Sequence, residues 1–197
     1  GGSGRSIALP AEGLAARGHG VTLVARGDST ARVRVVPYRR LDSSAGSALI
    51  NAFEIARAVR RHRPDVIHSF GRLASLVAVF PTRLPKIMSY QREVTPRSIM
   101  WGRRLSGGRL TFAACSHRML DGVRHLAPWR VIHNAVDVTR YRFAPAVTGD
   151  APLVFLGRIE AIKGPHLAID IARRSGRRLV VAGNVPDEHR GFFDQNI

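Results

Sequence analysis

The chain of 197 residues is 45% hydrophobic and 23% charged, an ordinary globular balance that excludes wholesale disorder. Its 31 basic residues against 14 acidic ones give a formal charge of +17, which admits nucleic acid, an anionic membrane surface or phosphorylated ligands as partners. All the basic residues but Lys86 and Lys163 are arginine, and they are scattered along the chain rather than gathered in a tail or stripe, which argues against a nucleic-acid partner. Gly1 to Ser6 reads as a flexible turn into a helical stretch with Ile7, Leu14 and Ala15 on one face. Arg17-Gly18-His19-Gly20 closes that helix, and Pro10 fits it only in a first turn. Strands follow at Val21 to Ala25 and Val33 to Tyr38, then a helix from Ala48 to Arg61 that Pro64-Asp65 ends.

The alternation continues through strand Val66 to His68, helix Leu73 to Phe80, and strands Lys86 to Tyr90 and Leu110 to Ala114. Helix Met119 to His125 and strand Arg130 to His133 complete the first part. Strands alternating with helices predict an α/β fold with a parallel sheet. Tyr141 to Pro152 is a proline- and alanine-rich linker, after which strand Leu153 to Leu156, helix Pro165 to Arg174 and strand Leu179 to Ala182 restart the rhythm. The length suits one complete lobe, residues 1–143, and the start of a second, residues 144–197. A glycine-rich turn feeding a helix normally follows a strand, and a βαβ unit has only just formed at Ile197, so both ends read as cut.

No apolar run approaches the roughly 20 residues that span a bilayer. The N-terminus lacks a signal-peptide succession, and the single Cys115 fits a reducing, cytoplasmic setting.

Three constellations carry chemistry. Gly2-Ser3-Gly4 opens a helix, where unpaired N–H groups and close backbone approach form an anion cradle; Ile7 stands where the dinucleotide fingerprint needs its third glycine. Gly157-Arg158 and Lys163-Gly164-Pro165 lie between a strand and a helix. There a planar fork and a compact ammonium suit the oxygens of a diphosphate. His133-Asn134-Ala135-Val136-Asp137 and Gln91-Arg92-Glu93 each follow a strand, at the edge where α/β folds bind ligands. Asn134 and Asp137 serve equally as turn formers.

Other machinery is excluded. The chain has no Asp-x-Asp carboxylate clamp, no phosphate loop of the Gly-x4-Gly-Lys type, no zincin motif and no Gly-x-Ser-x-Gly elbow. His117 and His125, eight apart, share a face only if one helix holds both.

Taken in order, these segments resemble family 4 glycosyltransferases of the GT-B fold. The likeness rests on Gly-Gly-Ser-Gly before Leu14-Ala15-Ala16-Arg17-Gly18-His19-Gly20-Val21, on Pro64-Asp65-Val66-Ile67-His68, and on Val131-Ile132-His133-Asn134-Ala135-Val136-Asp137 with Phe143 behind. It extends to Leu156-Gly157-Arg158-Ile159-Glu160-Ala161-Ile162-Lys163-Gly164 and Val180-Val181-Ala182-Gly183. The resemblance implies two Rossmann-like lobes with parallel sheets, the first for the acceptor and the second, truncated here, for a nucleoside-diphosphate sugar. It implies metal-independent transfer with retention of configuration by front-face attack, and no cofactor. Arg158 and Lys163 would be catalytic, neutralising the donor diphosphate as its charge grows. Gly157, Gly183 and Asn134 would bind the donor, and Gly2, Ser3, Gly4 and Gln91 would form the acceptor and phosphate loop. The partners so implied are the nucleotide sugar and a sugar or lipid-linked acceptor in bacterial cell-envelope polysaccharide synthesis, with peripheral contact to an anionic membrane and no nucleic acid.

Departures from the pattern are Gln91 where many members carry histidine, and Ala135 in place of a turn glycine. The family's paired glutamates would fall beyond Ile197, so this polypeptide alone is expected to be a poor enzyme. A basic nucleic-acid-binding module and a sugar-nucleotide epimerase of the same architecture stand as the alternatives.

Overall fold

The structure is a computed structural model describing residues 2–38, 44–92 and 94–197, the side chains of residues 2–6 and 45 excepted. It divides into two compact units, Gly1–Val138 and Thr139–Ile197.

The first unit opens with α1 (Gly2–Ala16), which takes in the segment expected to be a flexible turn. Pro10 lies in its interior rather than its first turn. Its ring removes one intrahelical hydrogen bond, but Pro10 sits on the exposed side, where water can meet the freed carbonyl. The inward face is Ile7, Ala11 and Ala15 at four-residue spacing; Leu14, expected there, is 44% exposed. Strands β1 (Thr22–Ala25) and β2 (Arg34–Pro37) form a separate parallel pair, and Glu12 Oε1 accepts the Arg32 N–H at 2.8 Å, tying α1 to the approach of β2. Helix α2 (Ala45–His62) starts at Ser44, whose Oγ accepts the Ser47 N–H at 3.1 Å, and ends on Arg63 in the left-handed region.

A four-stranded parallel sheet in the order β3 (Ile67–Ser69), β4 (Lys86–Tyr90), β5 (Leu110–Ala114), β6 (Trp129–Val131) forms the centre of this unit. The inner strands β4 and β5 are buried along nearly their whole length, as strands covered on both faces must be. Their side chains join Ile55, Leu76, Ile99 and Leu120 in one core, with Phe112 stacked near Tyr90 and tilted against Trp129.

Three connections depart from expectation. Leu73–Val79 is a 3₁₀ stretch rather than an α-helix, stopped by Pro81. The helix expected from Met119 to His125 is two 3₁₀ turns, Arg118–Leu120 and Arg124–Leu126, because Asp121 is extended and Gly122 takes φ +79° between them. His117 and His125 therefore share no helix face. Helix α3 (Pro96–Ser106), absent from the sequence reading, begins with proline at its first turn and ends on left-handed Gly107. A Cβ on its Gly102 would come within 3.1 Å of Phe112 and 3.2 Å of Leu110 and Leu73, so a small residue lets α3 lie against the sheet.

The second unit holds the parallel pair β7 (Leu153–Leu156) and β8 (Leu179–Ala182), with α4 (Pro165–Ser175) between them and α5 (Arg190–Asn196) after. Among the described residues no helix is long and apolar enough to cross a membrane.

Candidate functional site

In the second unit, parallel pairing puts the carboxyl ends of β7 and β8 side by side, with Leu156 opposite Ala182. The pairing continues past both strands: the Gly157 N–H donates to Ala182 O at 3.0 Å, and the Ile159 N–H to Asn184 O at 2.9 Å. Two loops thus leave one edge together, the position where α/β sheets bind ligands. Gly183 makes this contact feasible. A Cβ there would lie 1.7 Å from Gly157 O, so the close approach it permits is that of the chain's own backbone.

Beyond Gly157 the loop is pinned by Ile159, which is 2% exposed. The Lys163 N–H donates to Glu160 O at 3.0 Å, closing a 3₁₀ turn over Ala161–Lys163. Gly164, at φ +72°, reverses the chain so that Pro165 can open α4. Among the described residues no side chain caps α4, whose first N–H groups carry the positive end of the helix dipole.

The charges on this frame are unequal in exposure. Arg158 keeps 54% of its side chain open, whereas Glu160 keeps 5%. Arg158 Nη2 lies 2.8 Å from Glu160 Oε1, yet among the described residues Oε1 receives no aligned hydrogen bond. The distance governs here, because coulombic attraction does not depend on N–H direction. His189 Nε2 lies 3.1 Å from the other oxygen of Glu160. Lys163 is exposed, and among the described residues its ammonium has no ion-pair partner. His166, in the first turn of α4, packs its ring edge-on against Phe192 at 5.5 Å, with Nδ1 buried and without a partner among the described residues.

The first unit presents its own carboxyl edge. Gln91 follows β4 half-buried, and Asn134 is exposed beyond β6. Between them, His133 Nδ1 donates to Cys115 O at 3.1 Å, and the His117 ring stands 6.3 Å from that of His133. His68 Nε2 and Ser89 Oγ are 2.7 Å apart. Although His68 as a residue is exposed, Phe70 and Ser89 shield its ring, and that desolvation lowers its pKa below the usual histidine value. Gly2, Ser3 and Gly4 form the start of α1; Gly1 and Glu93 lie outside the described residues. Among the described residues no three His, Cys, Asp or Glu side chains are grouped to hold a metal ion.

The structure therefore brings Gly157, Arg158, Lys163 and Gly183 together in the second unit, while Gln91, Asn134 and the start of α1 at Gly2–Gly4 belong to the first. It adds Glu160 and His189, to which the sequence reading gave no role. The two lysines also separate. Lys86, at the amino end of β4, is 1% exposed and donates to Thr82 O at 2.9 Å and Leu84 O at 2.7 Å, away from the ligand edge. Burial first, and then the Arg109 charge, lower its pKa.

The sequence profile of Glycosyltransferase Family 4 matches residues 1–140. No curated protein sequence matches the chain. Among solved structures, a glycosyltransferase from Rickettsia africae ESF-5 superposes on 99% of this chain and 60% of its own, with a TM-score of 0.77 and 15% identity. MurG of Acinetobacter baumannii superposes on 99% of this chain and 58% of its own, with a TM-score of 0.56 and 12% identity. The chain spans about three-fifths of the length of these structures. At such identities the likeness is one of fold, an α/β architecture of the GT-B type with Rossmann-like parallel sheets.

Proposed function

Since the chain belongs to Glycosyltransferase Family 4, we propose that it serves a transfer in which a nucleoside-diphosphate sugar gives its sugar to an acceptor with retention of configuration. The observation that carries this is the loop between β7 and α4: two cations, a left-handed glycine and an uncapped helix start, all at a strand edge. Arg158 presents a half-exposed fork and Lys163 an open ammonium to the diphosphate. As the bond from the sugar C1 to the phosphate oxygen breaks, charge builds on the diphosphate. The two cations and the α4 dipole stabilise that charge where it develops. The acceptor oxygen bonds C1 from the face that the diphosphate leaves and gives up its proton to the departing phosphate oxygen, which retains configuration.

The reading needs no metal ion or cofactor, in keeping with the missing Asp-x-Asp pair. Gly157 and Gly183 shape the edge the nucleotide approaches; in the first unit, Asn134 is assigned to donor binding, and Gln91 with the start of α1 at Gly2–Gly4 to the acceptor and distal phosphate. A hexosyl donor, a sugar or lipid-linked acceptor, and a cytoplasmic place in bacterial cell-envelope synthesis complete the proposal. Peripheral contact with an anionic membrane is assigned to α3, which leaves Met100, Trp101 and Leu105 exposed beside Arg97 and Arg104.

The test is equilibrium binding of uridine, guanosine, adenosine and thymidine diphosphates, followed by product analysis with the matching sugar donors. Lys163→Ala should weaken the preferred diphosphate about tenfold or more, the range for a charge-assisted hydrogen bond. Unchanged binding in that variant rejects the site, and donor converted without any acceptor identifies an epimerase instead.

A further inference from the structure

Glu160 is the only carboxylate between Gly157 and Gly164, and it is 4% exposed. Burying a carboxylate costs several kcal/mol unless opposite charge meets it. Here the Arg158 charge meets one oxygen, with Nη2 at 2.8 Å, and His189 Nε2 lies 3.1 Å from the other. We propose that Glu160 is a positioning residue for the diphosphate site: its buried carboxylate holds the Arg158 guanidinium at the carboxyl edge of β7, with the remaining N–H groups turned to the ligand. This rests on Arg158 binding the diphosphate as described above.

The geometry favours a holder over a competitor. The guanidinium meets Glu160 through Nη2 at 2.8 Å, and 54% of the side chain stays open. An arginine fork has five N–H donors, so one ion-pair contact leaves most of them for phosphate oxygens. The backbone of Glu160 adds a second tie. Its N–H donates to Arg158 O at 3.1 Å, and its carbonyl accepts the Lys163 N–H at 3.0 Å, so one residue sets the chain direction at both cations. His189, in the 3₁₀ turn Asp187–His189 after β8, joins the neighbouring loop to the same carboxylate. A long, rotatable arginine loses much side-chain freedom when it grips a ligand, and a buried anchor meets part of that cost in advance.

The experiment is a double-mutant cycle on this 197-residue chain, with inorganic pyrophosphate as the calorimetric probe. The proteins are the wild type, E160Q, R158A, the E160Q/R158A pair and K163A, each with its thermal melt. Glu160→Gln keeps the volume and removes the charge. Pyrophosphate should bind E160Q about fivefold more weakly than wild type, but the pair less than about twofold more weakly than R158A alone, a coupling typical of directly contacting residues. An equal loss in both backgrounds would mean that Glu160 only supports the loop, and overturns the proposal. Unchanged or tighter binding in E160Q would make the carboxylate a bystander or a competitor, and also overturns it. Wild-type affinity in both R158A and K163A, or no binding by the wild type, removes the diphosphate site itself and this inference with it. If E160Q loses its cooperative melt, Glu160→Asp carries the same cycle, since it keeps the charge but withdraws it by one methylene.

Discussion

Gly183 and Gly157 meet closely enough that one added methyl group has nowhere to go. The ideal Cβ of Gly183→Ala would sit 1.7 Å from Gly157 O and 2.7 Å from its carbonyl carbon, both backbone atoms that cannot swing aside. The strain must then be relieved by parting the two loops, which breaks the Ile159–Asn184 hydrogen bond and shifts Arg158 with it. Gly183→Ala should therefore destabilise the second unit by about 1–3 kcal/mol, the usual cost of overpacking. It should also weaken pyrophosphate binding, although it removes no charge. Urea melts paired with calorimetry check this, and a variant with wild-type melt and affinity would show that the loops part freely. At this scale Arg158, Lys163 and Gly157 could be singled out from sequence because they lie within one contiguous motif whose spacing is set by a single turn, whereas Gly183 belongs to the next strand. It gave no sign that Glu160 is buried or that His189 reaches it, because that contact joins residues 29 apart across a second loop.

At the scale of elements, the strands were legible and several helices were not. Strands declare themselves by short β-branched runs between Gly and Pro, and Leu153–Leu156 and Leu179–Ala182 fall where the pattern puts them. The segment 118–126 carries apolar residues that look helical, but Gly122 in the left-handed region decides the geometry. Helix α3 was hidden for the opposite reason. Its buried face is only Ile99, Gly102 and Ser106, too weak an apolar stripe to read from sequence. Its outer face is the unusual one: Met100 is 56%, Trp101 51% and Leu105 45% exposed, with Arg97 and Arg104 among them. Apolar side chains flanked by arginine suit the boundary of an anionic bilayer, where each basic residue contributes about 1 kcal/mol. The chain should float with phosphatidylglycerol vesicles and not with phosphatidylcholine vesicles, and added salt should release it. Trp101→Ser should weaken that binding about tenfold, in line with roughly 1.5–3 kcal/mol for burying a large apolar side chain. Equal binding to both lipids, or no effect of the substitution, would remove α3 from this role.

Across the whole molecule, burial is distributed unevenly. The first unit owns the continuous core around β4 and β5, whereas in the second Leu156, Ile162 and Leu167 are exposed and burial rests on Ile159, Glu160, Pro165 and Ala172. Both tryptophans, Trp101 and Trp129, lie in the first unit, so their emission reports on its unfolding. That unit also holds two phenols whose pKa burial raises, Tyr38 and Tyr90; for Tyr90 a hydrogen bond with Ser98 offsets part of the rise. A free tyrosine loses its proton near pH 10. Above that point the unfolded chain has released these protons while the folded one still holds them. Fewer protons on the unfolded state mean that stability falls as pH climbs toward the folded pKa values, and is fully present below about pH 10. Lys86 acts in the opposite sense. Its folded pKa is lowered, so the folded state gives up its proton first, and stability rises with pH up to the unfolded lysine value of about 10.4. The net urea midpoint should level off and then decline above roughly pH 10.4, where only the phenols still contribute a slope. Tyr38→Phe should make that decline shallower, and by more than Tyr90→Phe does, since no hydrogen bond offsets the desolvation of Tyr38. Identical alkaline slopes in the wild type and Tyr38→Phe would show that this phenol ionises as readily in the fold as outside it.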